Sequence, residues 1–475
     1  MLYRASDLKK IFGESAKYLF FDNNFIINSV IVDSRISQHN SLFFAIKGEK
    51  SDGINFLKNA FFNGTICVIT TSLPSSLHSF VRDNKINIII VNDVLQALHK
   101  IANWRRNMVN PKVIGVTGSV GKTSTTKAIA STLSNFFTVT VSPKSFNNHV
   151  GLPLTLANLP SDSKIAILEM GMNHPGEIEL LSKIAEPDIA MITNIGPSHI
   201  GNFDSVEHIA ICKSEICSHL KPGGIVILNE ESEFFDTIKN NIINKYGVKN
   251  IFRVGKENSH MFISDFDVSN ELFTNFNLIT NEGKAKSSFP CRIFGLGVHR
   301  AVLSLFVFAI CRLFKIDLNE VASLLYQLPI IEGRGNLETA FYDKKKVLIV
   351  NDTYNSSPYA LKNSIKTINI ISEQRKVNRK VCILGDMLEL GSNAEEYHTL
   401  MKDIIIESKI DIVHTVGAHM KLLNDQLPEN IRGQNFKHVG ELCKKIRSLL
   451  QDGDVVLFKG SRAIELDRAI IKLCH

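Results

Sequence analysis

The apolar and polar positions of the chain follow three successive patterns. Residues 1 to about 110 hold short apolar runs interrupted by turn residues, at 29–32, 42–46, 66–70 and 86–91. From residue 113 to about 230, strand-length apolar runs alternate with helix-length amphipathic stretches; the runs are 113–117, 165–170, 189–195 and 225–228, and the stretches lie near 122–135, 176–185 and 205–220. This alternation predicts a mostly parallel sheet covered by helices.

The pattern then changes twice. Residues 250–293 hold several short, polar-alternating runs, which predict an antiparallel appendage, and helical patterns follow at 299–314 and 317–327. The glycine-containing segment PIIEGRGN at 329–336 predicts a linker. Beyond it the strand–helix alternation restarts, with strands predicted at 346–351, 380–384, 412–416 and 455–458.

Composition places the chain among ordinary globular proteins. Its 475 residues suffice for roughly three domains, and 44% apolar with 21% charged residues argues against broad disorder. The basic excess of 54 − 47 = 7 suits small polyanionic substrates and does not indicate nucleic acid. The most apolar stretch, 301–311, has only about half of the ~20 residues that a membrane span needs, so we expect a buried helix there and no membrane span. Neither a signal-peptide core nor a disulfide-like spacing of the eight cysteines is present, which predicts a cytoplasmic location.

The stretch VIGVTGSVGKTSTTKAI predicts a phosphate-binding loop. An apolar strand leads into a glycine-rich turn and then a helix, so backbone N–H groups and the helix N-terminus can face phosphate oxygens. Lys122 adds a positive charge, and Thr123 offers a hydroxyl for Mg²⁺. The pattern G-x-x-x-x-G-K-[ST] is not strictly met, because its first glycine position holds Val116. We predict that ATP is bound by Thr117, Gly118, Ser119, Val120, Gly121, Lys122 and Thr123.

Two side chains follow the neighbouring predicted strands. Glu169 ends the apolar run at 165–170, and His199 lies just after the run at 189–195. An acid at this edge of a parallel sheet is well placed to bind the magnesium ion of a nucleotide. A structural glutamate and a surface histidine explain the same positions.

Three further residues have a functional and an ordinary interpretation. Lys213 fits a solvated charge on a helix, and Arg334, between two glycines, fits either a phosphate contact or a flexible linker. Asp352 follows the first strand predicted after the linker, where it can hold a ribose hydroxyl or cap a helix.

Taken together, these motifs resemble the Mur ligase family, ATP-dependent amide-forming enzymes of peptidoglycan synthesis. The matching segments occur in family order from about residue 30 to 391: VDSRISQHNSLFFAIKGEKSDGINF, GVTGSVGKT, SFNNHVGLPLTL, ILEMGMNHPGEIELL, ITNIGPSHIGNF, KSEI, GRGN, NDTYNSSPYAL and ILGDMLELG. The resemblance implies an α/β protein of three domains. These are a smaller α/β N-terminal domain for the UDP-sugar (1–110), a central phosphate-loop ATPase-like parallel sheet (111–330) and a C-terminal Rossmann-like domain that closes on the site (331–475).

The resemblance also implies roles for individual residues. Lys122, Glu169, His199 and Lys213 are expected to be catalytic, and Thr123, Glu169, His199 and Lys213 to form the magnesium sites. Lys213 corresponds to a lysine that reacts with CO₂ to become a carbamate. Arg334 and Asp352 are expected to hold the nucleotide, and the path of the UDP-sugar and peptide is expected to be lined by Ser34, Arg35, Asn147, Asn148 and His149.

The segments EMGMNHPGEI and GDMLELG point to the family member whose substrates are UDP-N-acetylmuramoyl-tripeptide and D-alanyl-D-alanine. We expect ATP to activate the tripeptide carboxylate as an acyl phosphate, in a monomeric enzyme. Two alternatives remain at this point. A ligase for another amine, such as a diamino-acid-adding or folylpolyglutamate-type enzyme, shares the motifs, and a phosphate-loop switch or kinase shares the loop alone.

Two segments depart from the family pattern. The family has G-x-H-N-x-x-N, with asparagines near the adenine, where this chain has Arg300 and Leu303 in the segment 297–303. Adenine recognition therefore stays open. The family's G-D-L-F reads Asn40-Ser41-Leu42-Phe43, in a predicted turn.

Overall fold

Four sheets are present in the described part of the chain. The computed structural model describes residues 1–36, 38–143, 146–269, 273–283, 285–295, 298–375 and 377–474. A two-stranded and a five-stranded sheet lie in the first 90 residues, a nine-stranded sheet spans 112–294, and a six-stranded sheet spans 336–459. The predicted domain boundaries at 110/111 and 330/331 lie between the three larger sheets and remain a prediction.

The N-terminal sheet has the order β2-β7-β6-β5-β4, parallel except for the β2–β7 pair. Apolar strand residues such as Leu42 and Ile69 are fully buried between its covering helices. The strands are β1 (Tyr3–Arg4), β2 (Lys17–Leu19), β3 (Ile26–Ile27), β4 (Ser29–Ile31), β5 (Ser41–Phe44), β6 (Thr65–Thr70) and β7 (Asn87–Ile90); the helices are α1 (Ala5–Phe12), α2 (Leu57–Phe62), α3 (Ser75–Asp83) and α4 (Val94–Val109).

The central sheet has the order β16-β15-β14-β13-β12-β11-β8-β10-β9. Its strands are β8 (Lys112–Thr117), β9 (Val139–Val141), β10 (Ile165–Glu169), β11 (Ile189–Ile192), β12 (Ile225–Asn229), β13 (Ile251–Gly255), β14 (Met261–Val268), β15 (Phe273–Glu282) and β16 (Ala285–Phe294). Its helices are α5 (Lys122–Leu133), α6 (Gly151–Ala157), α7 (Glu177–Ala185), α8 (Val206–Ser214), α9 (Phe235–Tyr246), α10 (Val298–Leu313) and α11 (Leu318–Leu324).

The register of the central strands explains where the site forms. Strand β8 lies between β10 and β11, and all three are parallel. Residues that follow these three strands therefore meet at one carboxyl edge, where parallel sheets collect ligands.

The segment at 250–293 differs from the separate appendage predicted for it. β14, β15 and β16 do pair antiparallel, but β13 and β14 continue the parallel central sheet from β12. Phe276, Leu278 and Ile293 are buried in the same core as α10. Along β15, buried positions such as Thr274, Phe276 and Leu278 alternate with partly exposed ones, which produces the polar alternation that suggested an appendage.

The C-terminal sheet has the order β17-β18-β22-β19-β20-β21, with only the β17–β18 pair antiparallel. The strands are β17 (Asn336–Tyr342), β18 (Lys345–Asp352), β19 (Arg379–Gly385), β20 (Ile412–Val416), β21 (Arg432–Phe436) and β22 (Asp454–Lys459); the helices are α12 (Pro358–Arg375), α13 (Ala394–Thr399), α14 (Met401–Glu407), α15 (Ala418–Gln426), α16 (Val439–Leu449) and α17 (Asp467–Cys474).

The apolar stretch at 301–311 forms most of α10, and its buried side chains include Leu305, Phe306 and Phe308. No helix in the described ranges combines the length and the apolar character that crossing a bilayer requires.

Candidate active site

The phosphate loop connects the end of β8 to the start of α5 and is hydrogen-bonded to the segment after β11. Thr193 Oγ1 donates to the Val120 carbonyl at 2.7 Å, and the Ser119 amide donates to the Asn194 carbonyl at 2.7 Å. Gly118 has φ 149°, and a Cβ there would collide with the Thr193 hydroxyl. A glycine is needed at this position because two loops pass in contact.

Lys122 is the first residue of α5 and lies over the loop. Its Nζ donates to the Gly118 carbonyl at 2.7 Å. The pKa of Lys122 is lowered chiefly by burial and further by Arg334, while Glu169 partly opposes the shift. The loop therefore places a desolvated cation where an anion would relieve its cost.

Glu169, at the end of β10, faces α5. Its side chain is buried, accepting a hydrogen bond from Thr123 Oγ1 at 2.8 Å and another from Asn147 Nδ2 at 2.9 Å. A carboxylate beside a hydroxyl at the edge of a phosphate loop is the oxygen-donor set that Mg²⁺ takes together with nucleotide phosphates. These residues fit a magnesium site.

Lys213 lies in the last turn of α8 and is buried. Within the described residues its ammonium group has no hydrogen bond or ion pair. Burial, reinforced by Lys122, lowers its pKa well below the ordinary lysine value. The amine is therefore biased toward its neutral, nucleophilic form.

His199 precedes the short 3₁₀ turn Ile200–Asn202. The parts of the chain built on the central sheet (112–294) and on the C-terminal sheet (336–459) are called the central and the C-terminal unit. His199 Nδ1 lies 2.5 Å from Oε2 of Glu389 in the C-terminal unit. Burial lowers the His199 pKa, Glu389 opposes that shift, and Lys122 and Lys213 lower the pKa further. His199 thus contacts Glu389 and lies within the electrostatic influence of both lysines.

Arg334 reaches the site from the segment between α11 and β17. Its guanidinium carbon lies 4.2 Å from the ring centre of Tyr354, and Nη2 donates to Thr123 Oγ1 at 3.2 Å. The backbone beside it is fixed, because the Tyr354 amide donates to the Gly333 carbonyl at 2.9 Å. Arg334 thus joins the C-terminal unit to the phosphate loop.

Comparisons with known proteins place this geometry in a family. Residues 116–301 match the Mur ligase middle domain, and residues 339–462 match the Mur ligase, glutamate ligase domain. The UDP-N-acetylmuramoyl-tripeptide–D-alanyl-D-alanine ligase of Rickettsia prowazekii is 31% identical over 450 residues, covering 94% of this chain and 95% of that protein. The chain belongs to the Mur ligase family.

Further relatives agree with this assignment. The ligase of the same name from Bacillus subtilis is 33% identical, over 94% of this chain and 93% of that protein. A crystal structure of MurF from Acinetobacter baumannii has a TM-score of 0.84 at 26% identity, covering 99% of this chain and 98% of that one. The MurF ligase of Thermotoga maritima, solved in complex with ADP, has a TM-score of 0.77 at 27% identity, covering 94% of this chain and 97% of that one. The predicted family and fold class are confirmed.

Not every residue expected from the family contacts the loop. Asp352 Oδ2 accepts hydrogen bonds from Lys459 Nζ and Ser364 Oγ, each at 2.6 Å. These contacts hold its carboxylate within the C-terminal unit and leave its role toward the nucleotide a prediction. The helix-cap alternative does not apply, because α12 begins only at Pro358.

The residues expected along the UDP-sugar and peptide path are spread over two units. Ser34 is buried, whereas Arg35 is exposed and pairs with Asp33 at 2.7 Å. Asn148 Oδ1 accepts from the Gly151 amide at the start of α6, and the exposed His149 contributes only its carbonyl to a described hydrogen bond. Asn147 alone of this set contacts the phosphate-loop cluster, through Glu169.

The segment that departs from the family lies at the start of α10. Gly297 falls outside the described residues. Arg300 Nε donates to the Phe294 carbonyl at 3.0 Å, and burial lowers the Arg300 pKa to about 10. Leu303 is buried in the core.

Residues absent from the sequence prediction complete the site. Thr193 and Asn194 hold the loop, Tyr354 supports Arg334, and Glu389 contacts His199. The sequence signal for Glu389 was its place in GDMLELG, but nothing local indicated that it lies opposite His199.

The central and C-terminal units touch through two glycines beside His199. A Cβ built on Gly391 (φ 61°) would lie 2.5 Å from Gly201 Cα, closer than real Cβ atoms approach backbone. Gly391→Ala should therefore push the units apart and lower kcat by about 10- to 100-fold, as small misplacements of reacting groups do.

The matched control is Gly247→Ala, since Gly247 has a similar φ of 68° and open space around its Cβ position. Both variants carry a left-handed alanine that costs about 1–2 kcal/mol of stability. Equal thermal shifts with a kcat loss in Gly391→Ala alone support the contact, and equal kcat values would contradict it.

Proposed function

We propose that this chain is an ATP-dependent ligase that joins D-alanyl-D-alanine to UDP-N-acetylmuramoyl-tripeptide in peptidoglycan precursor synthesis. The observation that carries the proposal is the match over 94% of the chain to ligases of that name. The cluster of Lys122, Glu169, Thr123 and Arg334 supports it, because such a cluster serves transfer of a phosphoryl group.

The first step is activation of the tripeptide carboxylate. A carboxylate oxygen attacks the γ-phosphorus of ATP, the bond to the β–γ bridging oxygen breaks, and an acyl phosphate and ADP result. Carboxylate and triphosphate repel each other, so the half-buried cation of Lys122 and the guanidinium of Arg334 offset that charge in the transition state.

The second step is amide formation. The neutral amine of D-alanyl-D-alanine attacks the acyl carbon, and the tetrahedral intermediate expels inorganic phosphate while the nitrogen loses a proton. The contacts between Arg334 and the loop and between Glu389 and His199 hold the C-terminal unit over the site. Closure of the C-terminal unit over bound substrates would exclude water, which otherwise hydrolyses the acyl phosphate.

Thr123, Glu169 and His199, with Lys213 as a carbamate, are the residues we propose for Mg²⁺. When bound there, Mg²⁺ would neutralise phosphate charge and polarise the γ-phosphoryl group. Carbamate formation suits the surroundings of Lys213: the neutral amine forms an N–C bond with CO₂ and releases one proton, so a buried amine becomes an anion with oxygen donors.

Arg334→Lys should raise the KM for ATP. Lysine keeps the charge but loses the planar stacking on Tyr354 and the fork of donors, so we expect a change of about 3- to 30-fold. Steady-state kinetics at saturating peptide substrates measure it. Arg468→Lys, at an exposed arginine paired with Glu465, is the control, and an unchanged KM in both variants would contradict a nucleotide role.

The proposed reaction is tested with a panel of amine acceptors. Purified protein with ATP, Mg²⁺ and UDP-N-acetylmuramoyl-tripeptide should release phosphate and form product only when D-alanyl-D-alanine is added. Activity with meso-diaminopimelate instead would assign a different family reaction. Steady release of phosphate from ATP without either peptide substrate would contradict the ligase proposal.

We also propose a cytoplasmic monomer. All eight cysteines are free thiols and most are buried, which suits a reducing compartment. Light scattering during gel filtration measures the oligomeric state directly.

A further inference from the structure

The hairpin formed by β17 and β18 begins directly after Arg334 and carries three polar side chains at its open end. Asn336 of β17 lies opposite Asn351 of β18 in the antiparallel register. Opposite residues point to the same face of an antiparallel pair, and so does the residue two positions along either strand. Asn336, Asn351 and Glu338 therefore share one face of the hairpin.

One oxygen of the Glu338 carboxylate holds both asparagine side chains. Glu338 Oε1 accepts Asn336 Nδ2 at 2.6 Å and Asn351 Nδ2 at 2.8 Å. A carboxylate offers only acceptors, so it fixes which end of each amide faces it, and the amide oxygens point elsewhere. The oxygen of Asn351, which is 4% exposed, accepts the hydroxyl of Thr353 at 2.8 Å.

The two asparagines in turn hold the backbone on both sides of Arg334. Asn336 Oδ1 accepts the Gly333 amide at 2.6 Å, and the Asn351 carbonyl accepts the Gly335 amide at 2.8 Å. Gly333 and Gly335 have φ of 72° and 78°. Glycine adopts such angles freely and many others as well, so the shape of this segment depends on the hydrogen bonds that hold it.

The Arg334 side chain is held in place with part of its hydrogen-bonding capacity unused. Its guanidinium lies on the ring of Tyr354 and reaches Thr123, but Nε is buried and has no hydrogen-bond partner among the described residues. A buried N–H without an acceptor is costly, so this orientation needs support from the segment that carries it. A phosphate oxygen of a nucleotide on the loop would supply the acceptor.

We infer that Glu338 is a positioning residue, which acts through Asn336 and Asn351 to hold the segment 333–336 so that Arg334 meets the phosphates of a bound nucleotide. The inference rests on the proposed role of Arg334 in nucleotide binding. No hydrogen bond or ion pair joins Glu338 to the phosphate loop in the described part of the chain, so its effect passes through the two asparagines.

The first test is the affinity for ADP, measured by isothermal titration calorimetry. Glu338→Ala leaves both asparagine Nδ2 groups without this acceptor, so the Kd should rise by about 3- to 10-fold, as expected for the loss of one hydrogen bond. Glu338→Gln should stay within about twofold of wild type, because its amide oxygen can accept both bonds. In an Arg334→Ala background, Glu338→Ala should have no further effect on the Kd.

The matched control is Asp452→Ala. Asp452 Oδ1 accepts the Lys346 amide at 2.7 Å near the other end of β18, so this variant also removes a carboxylate that holds the hairpin. Thermal melts measure the stability of both variants. Asp452→Ala should keep the wild-type affinity for ADP, and an equal loss of affinity in both variants would show that Glu338 has only a structural role.

The second readout needs no nucleotide. Trypsin cleaves after arginine, and the bond between Arg334 and Gly335 becomes a substrate only when the segment opens locally. Glu338→Ala should be cut there about 3- to 10-fold faster than wild type, and Glu338→Gln at the wild-type rate, with the products identified by mass spectrometry.

Two results would overturn the inference: equal cleavage rates in wild type and Glu338→Ala, or additive losses of ADP affinity in the cycle with Arg334→Ala. If wild type binds ADP but forms no amide, the proposed function fails, while both readouts still test the role of Glu338.

Discussion

Lys122→Ala should lower kcat for ligation by about 10³-fold, the range seen when a preorganised transition-state donor is removed. Lys122 lies over the Gly118 carbonyl, and its pKa is lowered by burial, so its charge is only weakly solvated. A weakly solvated cation interacts strongly with the charge that gathers on the γ-phosphoryl group.

The control for this variant is Lys127→Ala, which removes a partly exposed lysine from the same helix. Phosphate release with all three substrates, measured at saturation, gives kcat for both variants. Thermal melts check that each variant is folded. A Lys122→Ala enzyme that ligates at the normal rate would mean that the loop is not part of the catalytic site.

Lys213→Met should lower kcat by about 10²- to 10³-fold, since it removes the amine that we propose reacts with CO₂. In wild type, activity should fall in buffer depleted of CO₂ and return with bicarbonate. With ¹³C-labelled bicarbonate, a carbamate signal should appear in wild type and be missing from Lys213→Met. Full activity of the methionine variant would rule out the carbamate.

The same substitution should raise stability. The pKa of Lys213 is lowered in the folded protein, so the unfolded chain binds more protons between the two pKa values and wild-type stability falls as pH drops through that window. Methionine does not ionise, so Lys213→Met does not lose stability in this way. In CO₂-depleted buffer the Tm of Lys213→Met should therefore exceed the Tm of wild type, with the largest difference at neutral pH and the smallest near pH 10. Lys183→Met, at an exposed lysine, should show no such trend.

The phosphate loop could be predicted from the sequence because its elements are local. A buried strand, a glycine turn and a helix follow one another, and Val116 is simply part of β8, paired with Glu169 of β10. The position of Glu169 followed from the same logic, since the end of a neighbouring parallel strand must lie at the same edge.

Other parts depended on packing between distant segments. Burial lowers the pKa of Lys213. The sequence does not distinguish a buried helical lysine from a solvated one. β17 begins at Asn336, the last residue of the predicted linker, and it went unrecognised because it is an edge strand with alternate exposed positions. The contact of Glu389 with His199 joins residues from different sheets, which no local pattern encodes.

The resemblance to a family added what the residues alone left open. Arg334 could be a linker residue or a phosphate contact, and the structure places it on Tyr354 and Thr123. The resemblance did not predict the hydrogen bond of Arg300 to the Phe294 carbonyl, since the segment 297–303 departs from the pattern on which the resemblance rests.

The central claim is that this enzyme activates a peptide carboxylate as an acyl phosphate, and oxygen transfer tests it most directly. UDP-N-acetylmuramoyl-tripeptide carrying ¹⁸O in its terminal carboxylate is incubated with the enzyme, ATP, Mg²⁺ and D-alanyl-D-alanine. The phosphate released is then analysed by mass spectrometry. We predict one ¹⁸O atom in each phosphate, because the attacking carboxylate oxygen leaves with phosphorus when the amine displaces it. Phosphate without ¹⁸O would show that ATP is hydrolysed by water and would contradict the account.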